Sequence, residues 1–90
     1  MKVRAHVIVS GKVQGVFFRA ETKRRADVHE VFGWVRNLPN GCVEAVFEGE
    51  EDSVNALLKF CRRGPPGAVV DDVKIAWEKY TGEFVDFKVK

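Results

Sequence analysis

Residues Val9 to Arg19 read Val-Ser-Gly-Lys-Val-Gln-Gly-Val-Phe-Phe-Arg and lie where a strand-like segment passes into a helix-like one. Gly11 and Gly15 let the backbone take positive φ or approach a ligand closely, so successive N–H groups can converge on one oxyanion. The positive end of the helix dipole adds to this attraction, and Arg19 supplies a planar fork of donors suited to phosphate. The junction therefore predicts an anion site.

Upstream of this junction, apolar residues alternate with mostly charged or polar ones, as in a half-buried first strand. The apolar positions of this strand are Val3, Ala5, Val7 and Val9. The segment lacks the apolar stretch of a signal peptide, and no apolar run in the chain approaches membrane-spanning length. Two cysteines without CxxC spacing, Cys42 and Cys61, indicate free thiols. We therefore expect a cytoplasmic protein without a membrane partner.

Downstream, the spacing of apolar residues predicts two helices. The first begins at about Phe17, and its buried stripe is expected to be Phe18, Thr22, Ala26 and His29. The second follows the Glu-Glu-Asp-Ser sequence at 50–53, whose negative charge favours a helix start. The Gly-Pro-Pro-Gly sequence at 64–67 ends it. Its buried positions are expected to be Val54, Leu57, Leu58 and Cys61.

Alternation with a period of two predicts the remaining strands. Phe32 to Asn37 form the second strand, residues 38–41 form a hairpin turn, and a third strand follows. The inward side of the third strand is expected to be Val43, Ala45 and Phe47. Later alternations predict a fourth strand and a short terminal one, with inward positions Val73, Ile75, Trp77, Val85, Phe87 and Val89.

The predicted order is therefore β-α-β-β-α-β with a short extra strand. Ninety residues leave no room for a second domain, so residues 1–90 are expected to form a single one. Two helices on one face of a four- to five-stranded, mainly antiparallel sheet make an α+β ferredoxin-like sandwich. A formal charge of +2 does not indicate a nucleic-acid partner.

The segment from Gly11 to Arg19 resembles the signature loop of the acylphosphatase family, Gly-x-Val-Gln-Gly-Val-x-Phe-Arg, and meets it at every fixed position. A second segment, Gly33 to Gly41, resembles the Gly-Trp-Val-x-Asn strand and turn of that family. The likeness covers essentially the whole chain. It implies the ferredoxin-like fold and a metal-independent enzyme, without a cofactor, that hydrolyses acyl phosphates to a carboxylate and inorganic phosphate.

The resemblance also implies which residues form the site. Arg19 matches the phosphate-binding arginine of the family, Asn37 matches the asparagine that orients the attacking water, and Gln14 has a supporting role. Backbone N–H groups complete a phosphate-binding loop whose residues are Lys12, Val13, Gln14, Gly15, Val16, Phe17, Phe18 and Arg19. The expected partners are a small acyl phosphate and inorganic phosphate, the latter as product and inhibitor, and we expect a monomer.

Three positions differ from the residues common in the family or are not fixed by its pattern. Glu30 stands where many members have a glycine that ends the first helix, Cys42 stands where they often have Ser or Thr, and Phe17 fills the variable position of the loop. His6 and His29 are not expected to be catalytic or to bind metal, because no cysteine or carboxylate lies at ligand spacing around them.

Two other functions are open at this point. A non-hydrolytic phosphate- or carbamoyl-phosphate-binding module, resembling the acylphosphatase domain of the hydrogenase maturation carbamoyltransferases, would have the same loop. An RNA-binding domain of the same topology would need aromatic stacking residues on its central strands. Phe47 falls on the inward side of the third strand, which favours core packing instead.

Overall fold

A computed structural model describes residues 1–90 of the chain. Five strands and two helices follow one another in the predicted order. Their bounds are β1 Lys2–Lys12, α1 Phe18–His29, β2 Phe32–Asn37, β3 Val43–Glu50, α2 Glu51–Arg63, β4 Val69–Glu78 and β5 Phe87–Val89. No helix combines the length and the apolar character needed to cross a membrane.

The strands form one sheet in the order β4-β1-β3-β2-β5. The pairs β1·β3, β1·β4 and β2·β3 are antiparallel, and only β5 runs parallel to its neighbour, β2. The two helices pack on this sheet, so the predicted α+β ferredoxin-like sandwich is confirmed. Because β1 and β3 are antiparallel neighbours, with Val9 opposite Val43, the loop after β1 and the hairpin before β3 emerge at the same end of the sheet.

The side chains between the sheet and the helices form one hydrophobic core. Ala5, Val7 and Val9 of β1 are buried there, as the alternation predicts, and so is the inward side of β3. Phe47 is fully buried and its ring stacks on that of Phe87, with the centroids 5.8 Å apart. This confirms core packing for Phe47 and leaves it unable to stack on a base.

Five positions differ from expectation. Gly11 lies within β1, at a bulge opposite β4, and not in a loop; a β-carbon there would be 2.2 Å from a main-chain oxygen of β4, so the bulge requires glycine. His29 is exposed at the last residue of α1. Trp77, 55% exposed, lies near the end of the edge strand β4, and Val85, 85% exposed, precedes β5 instead of belonging to it. Val89, predicted to face inward, is 41% exposed at the end of β5.

The end of α1 is made by a residue with a β-carbon in the left-handed region. Glu30 has φ 56° and ψ 40°, and its N–H donates to the main-chain oxygens of Ala26 and Asp27. Left-handed backbone costs such a residue free energy that glycine does not incur. The missing glycine predicted a poorly capped helix, but the helix ends with the usual geometry at an energetic cost.

We predict that Glu30→Gly raises the free energy of unfolding by about 1 kcal/mol, because glycine adopts this conformation without strain. For a domain of this size, the melting temperature then rises by about 4–8 °C. Thermal unfolding followed by circular dichroism measures it. Glu30→Ala is the control, since alanine keeps the left-handed cost, and a Glu30→Gly variant no more stable than Glu30→Ala contradicts the explanation.

The buried carboxylate of Glu48 holds residues 79–86 in place. This segment joins β4 at one edge of the sheet to β5 at the other. Glu48 is only 3% exposed, and it accepts hydrogen bonds from Arg4 Nη1 at 3.1 Å and Thr81 Oγ1 at 2.8 Å. The main-chain N–H groups of Thr81 and Gly82 donate to it as well. Burial acts to raise the pKa of Glu48, but these donors outweigh burial and hold that pKa below its usual range.

We predict that Glu48→Gln lowers the free energy of unfolding by about 1–3 kcal/mol at pH 7, because an amide cannot accept from all these donors. Because the pKa of Glu48 is lowered in the folded state, its carboxylate contributes fully to the free energy of unfolding above the ordinary pKa of about 4.3. That contribution is lost as the pH falls through the folded-state pKa. The gap in urea midpoint between wild type and Glu48→Gln should therefore shrink from pH 7 to pH 3.

Glu50→Gln is the matched control, since this carboxylate on the same strand is exposed and pairs only with the terminal amino group. Water screens such a pair, so its midpoint should stay close to that of the wild type. A gap for Glu48→Gln that is constant with pH would show that Glu48 does not act through its charge.

Candidate functional site

The loop between β1 and α1 presents a run of free backbone donors. The N–H groups from Gln14 to Phe17 donate to no protein acceptor, and the ladder of α1 begins only at the bond from Glu21 N to Phe17 O, 3.0 Å. No side chain caps the helix, and Gly15 turns the chain with φ 75°. Unpaired N–H groups at a helix start are the donors that an oxyanion requires.

Gln14 ties this loop to the hairpin that follows β2. Its Nε2 donates to the main-chain oxygens of Leu38 at 2.8 Å and Cys42 at 2.9 Å. The hairpin is closed by its own bond from Leu38 N to Cys42 O, 2.8 Å. Gln14 therefore faces the hairpin and not the pocket, and Cys42 takes part through its main chain, so these contacts need no hydroxyl at that position.

Arg19 and Asn37 line one pocket of about 340 Å³, although they come from different elements. Arg19 lies in the first turn of α1, and Asn37 is the last residue of β2. The predicted loop residues that also line the pocket are Val13, Gly15, Phe17 and Phe18. Three others do not line it: Lys12 ends β1, Gln14 contacts the hairpin, and Val16 packs against the core.

The terminal strand contributes residues to the site that sequence reasoning did not find. Val89 lines the pocket, and the main-chain oxygen of Lys90 accepts a hydrogen bond from Arg19 Nη1 at 3.0 Å. Lys90 is itself held by a bond from its N–H to Val35 O, 2.8 Å. One helical turn after Arg19, Lys23 Nζ donates to the main-chain oxygen of Phe87 at 3.0 Å. Two side chains of α1 are therefore hydrogen-bonded to the C-terminal residues 87–90.

His6 lies outside the pocket and is paired with a carboxylate on the neighbouring strand. His6 Nε2 lies 2.7 Å from Glu44, which also accepts from Arg36 Nε at 2.6 Å. Burial acts to raise the pKa of Glu44, but these two partners outweigh burial and lower it. Neither His6 nor His29 lines the pocket. No group of three or more His, Cys, Asp or Glu side chains is arranged to hold a metal ion.

The two cysteines are free, as predicted. Cys61 is a buried residue of α2, and burial raises the pKa of its thiol to about 12. A thiol so far from ionisation is a poor nucleophile at neutral pH. Arg19 is thus the charged side chain of the pocket, and no carboxylate lines it.

The chain matches the model of the Acylphosphatase family over residues 5–89. It is 58% identical to the acylphosphatase of Syntrophus aciditrophicus over 89 residues, which are 99% of this chain and 93% of that relative. It is 52% identical to the acylphosphatase of Pelotomaculum thermopropionicum over 88 residues, 98% of this chain and 96% of that relative. The solved structure of an acylphosphatase from Coxiella burnetii superposes with a TM-score of 0.93 at 42% identity, covering 99% and 93% of the two chains.

Both curated relatives are named acylphosphatases, which are hydrolytic enzymes, and this chain aligns with nearly their whole length. They support hydrolysis, and none of them favours the non-hydrolytic binding module left open by the sequence. The resemblance found in the two motifs therefore extends to the entire chain.

We predict that Gln14→Ala weakens the binding of inorganic phosphate by about tenfold. Without the Gln14 amide the loop can shift away from the hairpin, and a small shift of the loop N–H groups weakens their hydrogen bonds to the anion. Titration calorimetry measures the affinity. Gln14→Glu should weaken binding too, since a carboxylate cannot donate to the oxygens of Leu38 and Cys42. Unchanged affinity in both variants would show that the tie does not shape the anion site.

Proposed function

Since this chain belongs to the acylphosphatase family, we propose that Arg19 and the loop residues Lys12 to Arg19 hold the phosphoryl group of its substrate while Asn37 orients the attacking water. The activity is the hydrolysis of acyl phosphates to a carboxylate and inorganic phosphate. The observation that carries the residue assignment is the run of unbonded N–H groups beside Arg19, in one pocket with Asn37.

The phosphoryl end of the substrate belongs at the start of α1. Its oxygens accept from the free N–H groups of the loop and from Arg19, whose planar fork can bind two oxygens at once. The hydrogen bond to Lys90 occupies Nη1 of Arg19 and fixes the plane of the guanidinium. In phosphoryl transfer the charge of the loose transition state is spread over the phosphoryl oxygens, so fixed donors aimed at them lower the barrier.

The water belongs beside Asn37. Asn37 lines the pocket, and the hairpin fastened by Gln14 holds the end of β2 at that point. The amide oxygen accepts from the water and so directs a lone pair at phosphorus. The new P–O bond forms as the bond to the acyl oxygen breaks, the electron pair leaves with the carboxylate, and both protons of the water stay with the phosphate as H2PO4−. A carboxylate is a good leaving group, so this chemistry requires no general acid.

We also propose that the protein acts in the cytoplasm as a monomer and that inorganic phosphate inhibits it as the product. Two free thiols are typical of a reducing compartment. Arg19 and Asn37 line one pocket of the same chain, so the roles proposed for them need no second copy.

We predict that Arg19→Ala and Asn37→Ala each lower kcat/KM for benzoyl phosphate by about a hundredfold or more, since each removes a group positioned for the transition state. Phosphate release in the presence of a chelator measures the rate, which we expect the chelator to leave unchanged in the wild type. Arg19→Ala should also raise the inhibition constant of inorganic phosphate, whereas Asn37→Ala should affect turnover more than phosphate binding.

Matched controls exist for both substitutions. Arg62→Ala removes an exposed arginine near the end of α2, and Asn55→Ala removes an exposed asparagine of the same helix. Both should keep nearly the wild-type rate. Folded Arg19→Ala or Asn37→Ala protein with the wild-type rate would disprove the assigned roles.

A further inference from the structure

Phe17 places an aromatic ring in solvent at the mouth of the pocket. Its side chain is 83% exposed, whereas the neighbouring Phe18 is 2% exposed. Its backbone has φ 62° and ψ 25°, the left-handed conformation that residues with a β-carbon adopt at a cost. Neither the exposure nor the backbone conformation stabilises the fold, and strain of this kind gathers at functional sites.

The ring does not stand alone. Val89 of β5 is 41% exposed and lines the same pocket, with the buried Val13 and Phe18 below. Five of the eight lining residues are hydrophobic, and the polar ones include Arg19 and Asn37. The pocket thus has two kinds of surface: donors suited to a phosphoryl group, and an apolar wall, here defined as Phe17 and Val89.

We propose that the apolar wall of Phe17 and Val89 receives the acyl group, and that this chain prefers acyl phosphates with an aromatic acyl group. This inference rests on the proposed function, because the roles of Arg19 and the loop fix which end of the substrate is left for the wall. An acyl phosphate has only two ends. With the phosphoryl group on the loop donors, the acyl group must occupy the rest of the pocket or point into water.

The chemistry of the wall favours an apolar, planar group. Aromatic rings pack against each other in offset or edge-to-face geometry, and such a pair contributes more than the area it buries. A charged acyl chain finds no partner of opposite sign there except Arg19, which the phosphoryl group occupies. A short acyl group such as acetyl does not extend far enough to cover the ring.

The test compares kcat/KM for benzoyl phosphate and acetyl phosphate in the wild type, Phe17→Asn and Phe17→Trp. Asparagine tolerates left-handed backbone, so Phe17→Asn removes the ring while keeping the loop geometry accessible. We expect Phe17→Asn to lower kcat/KM for benzoyl phosphate about tenfold more than kcat/KM for acetyl phosphate, because only the benzoyl ring reaches the wall. Phe17→Trp should retain the preference for benzoyl phosphate.

Two further readouts separate the acyl contact from damage to the loop. The loss in Phe17→Asn should appear mainly as a raised KM, because the wall touches the acyl group equally before and during the reaction. The inhibition constant of inorganic phosphate, which has no acyl group, should change less than the KM for benzoyl phosphate. Val28→Ala is the matched control, since Val28 is also largely exposed but lies in the last turn of α1.

Three results would overturn the inference. Equal losses for both substrates with weaker phosphate inhibition would mean that Phe17 only supports the loop. Unchanged benzoyl phosphate kinetics in Phe17→Asn would mean that the acyl group lies elsewhere. Equal losses in Val28→Ala would mean that the effect is not local to the pocket.

A binding measurement distinguishes failure of this inference from failure of the proposed function. Calorimetry compares benzylphosphonate with methylphosphonate, neither of which is hydrolysed. Tighter binding of benzylphosphonate that is lost in Phe17→Asn supports the wall even if Arg19→Ala and Asn37→Ala keep the wild-type rate. Equal affinities for the two phosphonates in the wild type overturn the wall even if turnover depends on Arg19 and Asn37.

Discussion

The two hydrogen bonds from the Gln14 amide are the contacts on which the site depends. They join the loop after β1 to the hairpin after β2, across 24 residues of sequence to Leu38. A carboxamide suits this position because its NH2 group has two donors, one for each main-chain oxygen. The side chain thereby faces away from the pocket and leaves the N–H groups of the loop free. The loop that precedes Arg19 and the hairpin that follows Asn37 are thus joined through this side chain beside one pocket.

The positive character of the pocket survives because the nearby carboxylates are bound to other partners. Glu21 lies two residues after Arg19, yet it accepts hydrogen bonds from Arg24, and this pairing together with Arg25 lowers its pKa against the opposing effect of burial. Glu44 on β3 is likewise occupied, on the side of the sheet away from the core. Arg19 therefore pairs with the Lys90 oxygen and with no Asp or Glu side chain, so it can still bind a phosphoryl group.

Much of this arrangement can be predicted from the sequence, because burial imposes its period on the chain. Alternation located β1, β2 and β3, and the four-residue spacing located the stripe from Phe18 to Ala26. The two motifs indicated Arg19 and Asn37, which line one pocket. The parallel pairing of β5 with β2 could not be predicted, since alternation shows that a strand exists but not which neighbour it takes. Contacts of Arg19 with Lys90 follow from that pairing and escaped prediction with it.

The place of β5 has a consequence for how the protein acquires its activity. Arg19, near the beginning of the chain, takes its positioning partner from Lys90, 71 residues later. The segment before β5 crosses the sheet from the β4 edge to the opposite edge, where β5 pairs with β2. Native contacts of such long sequence separation make folding slow. Arg19 therefore gains this partner only when β5 is in place, so its orientation depends on a contact between the two ends of the chain.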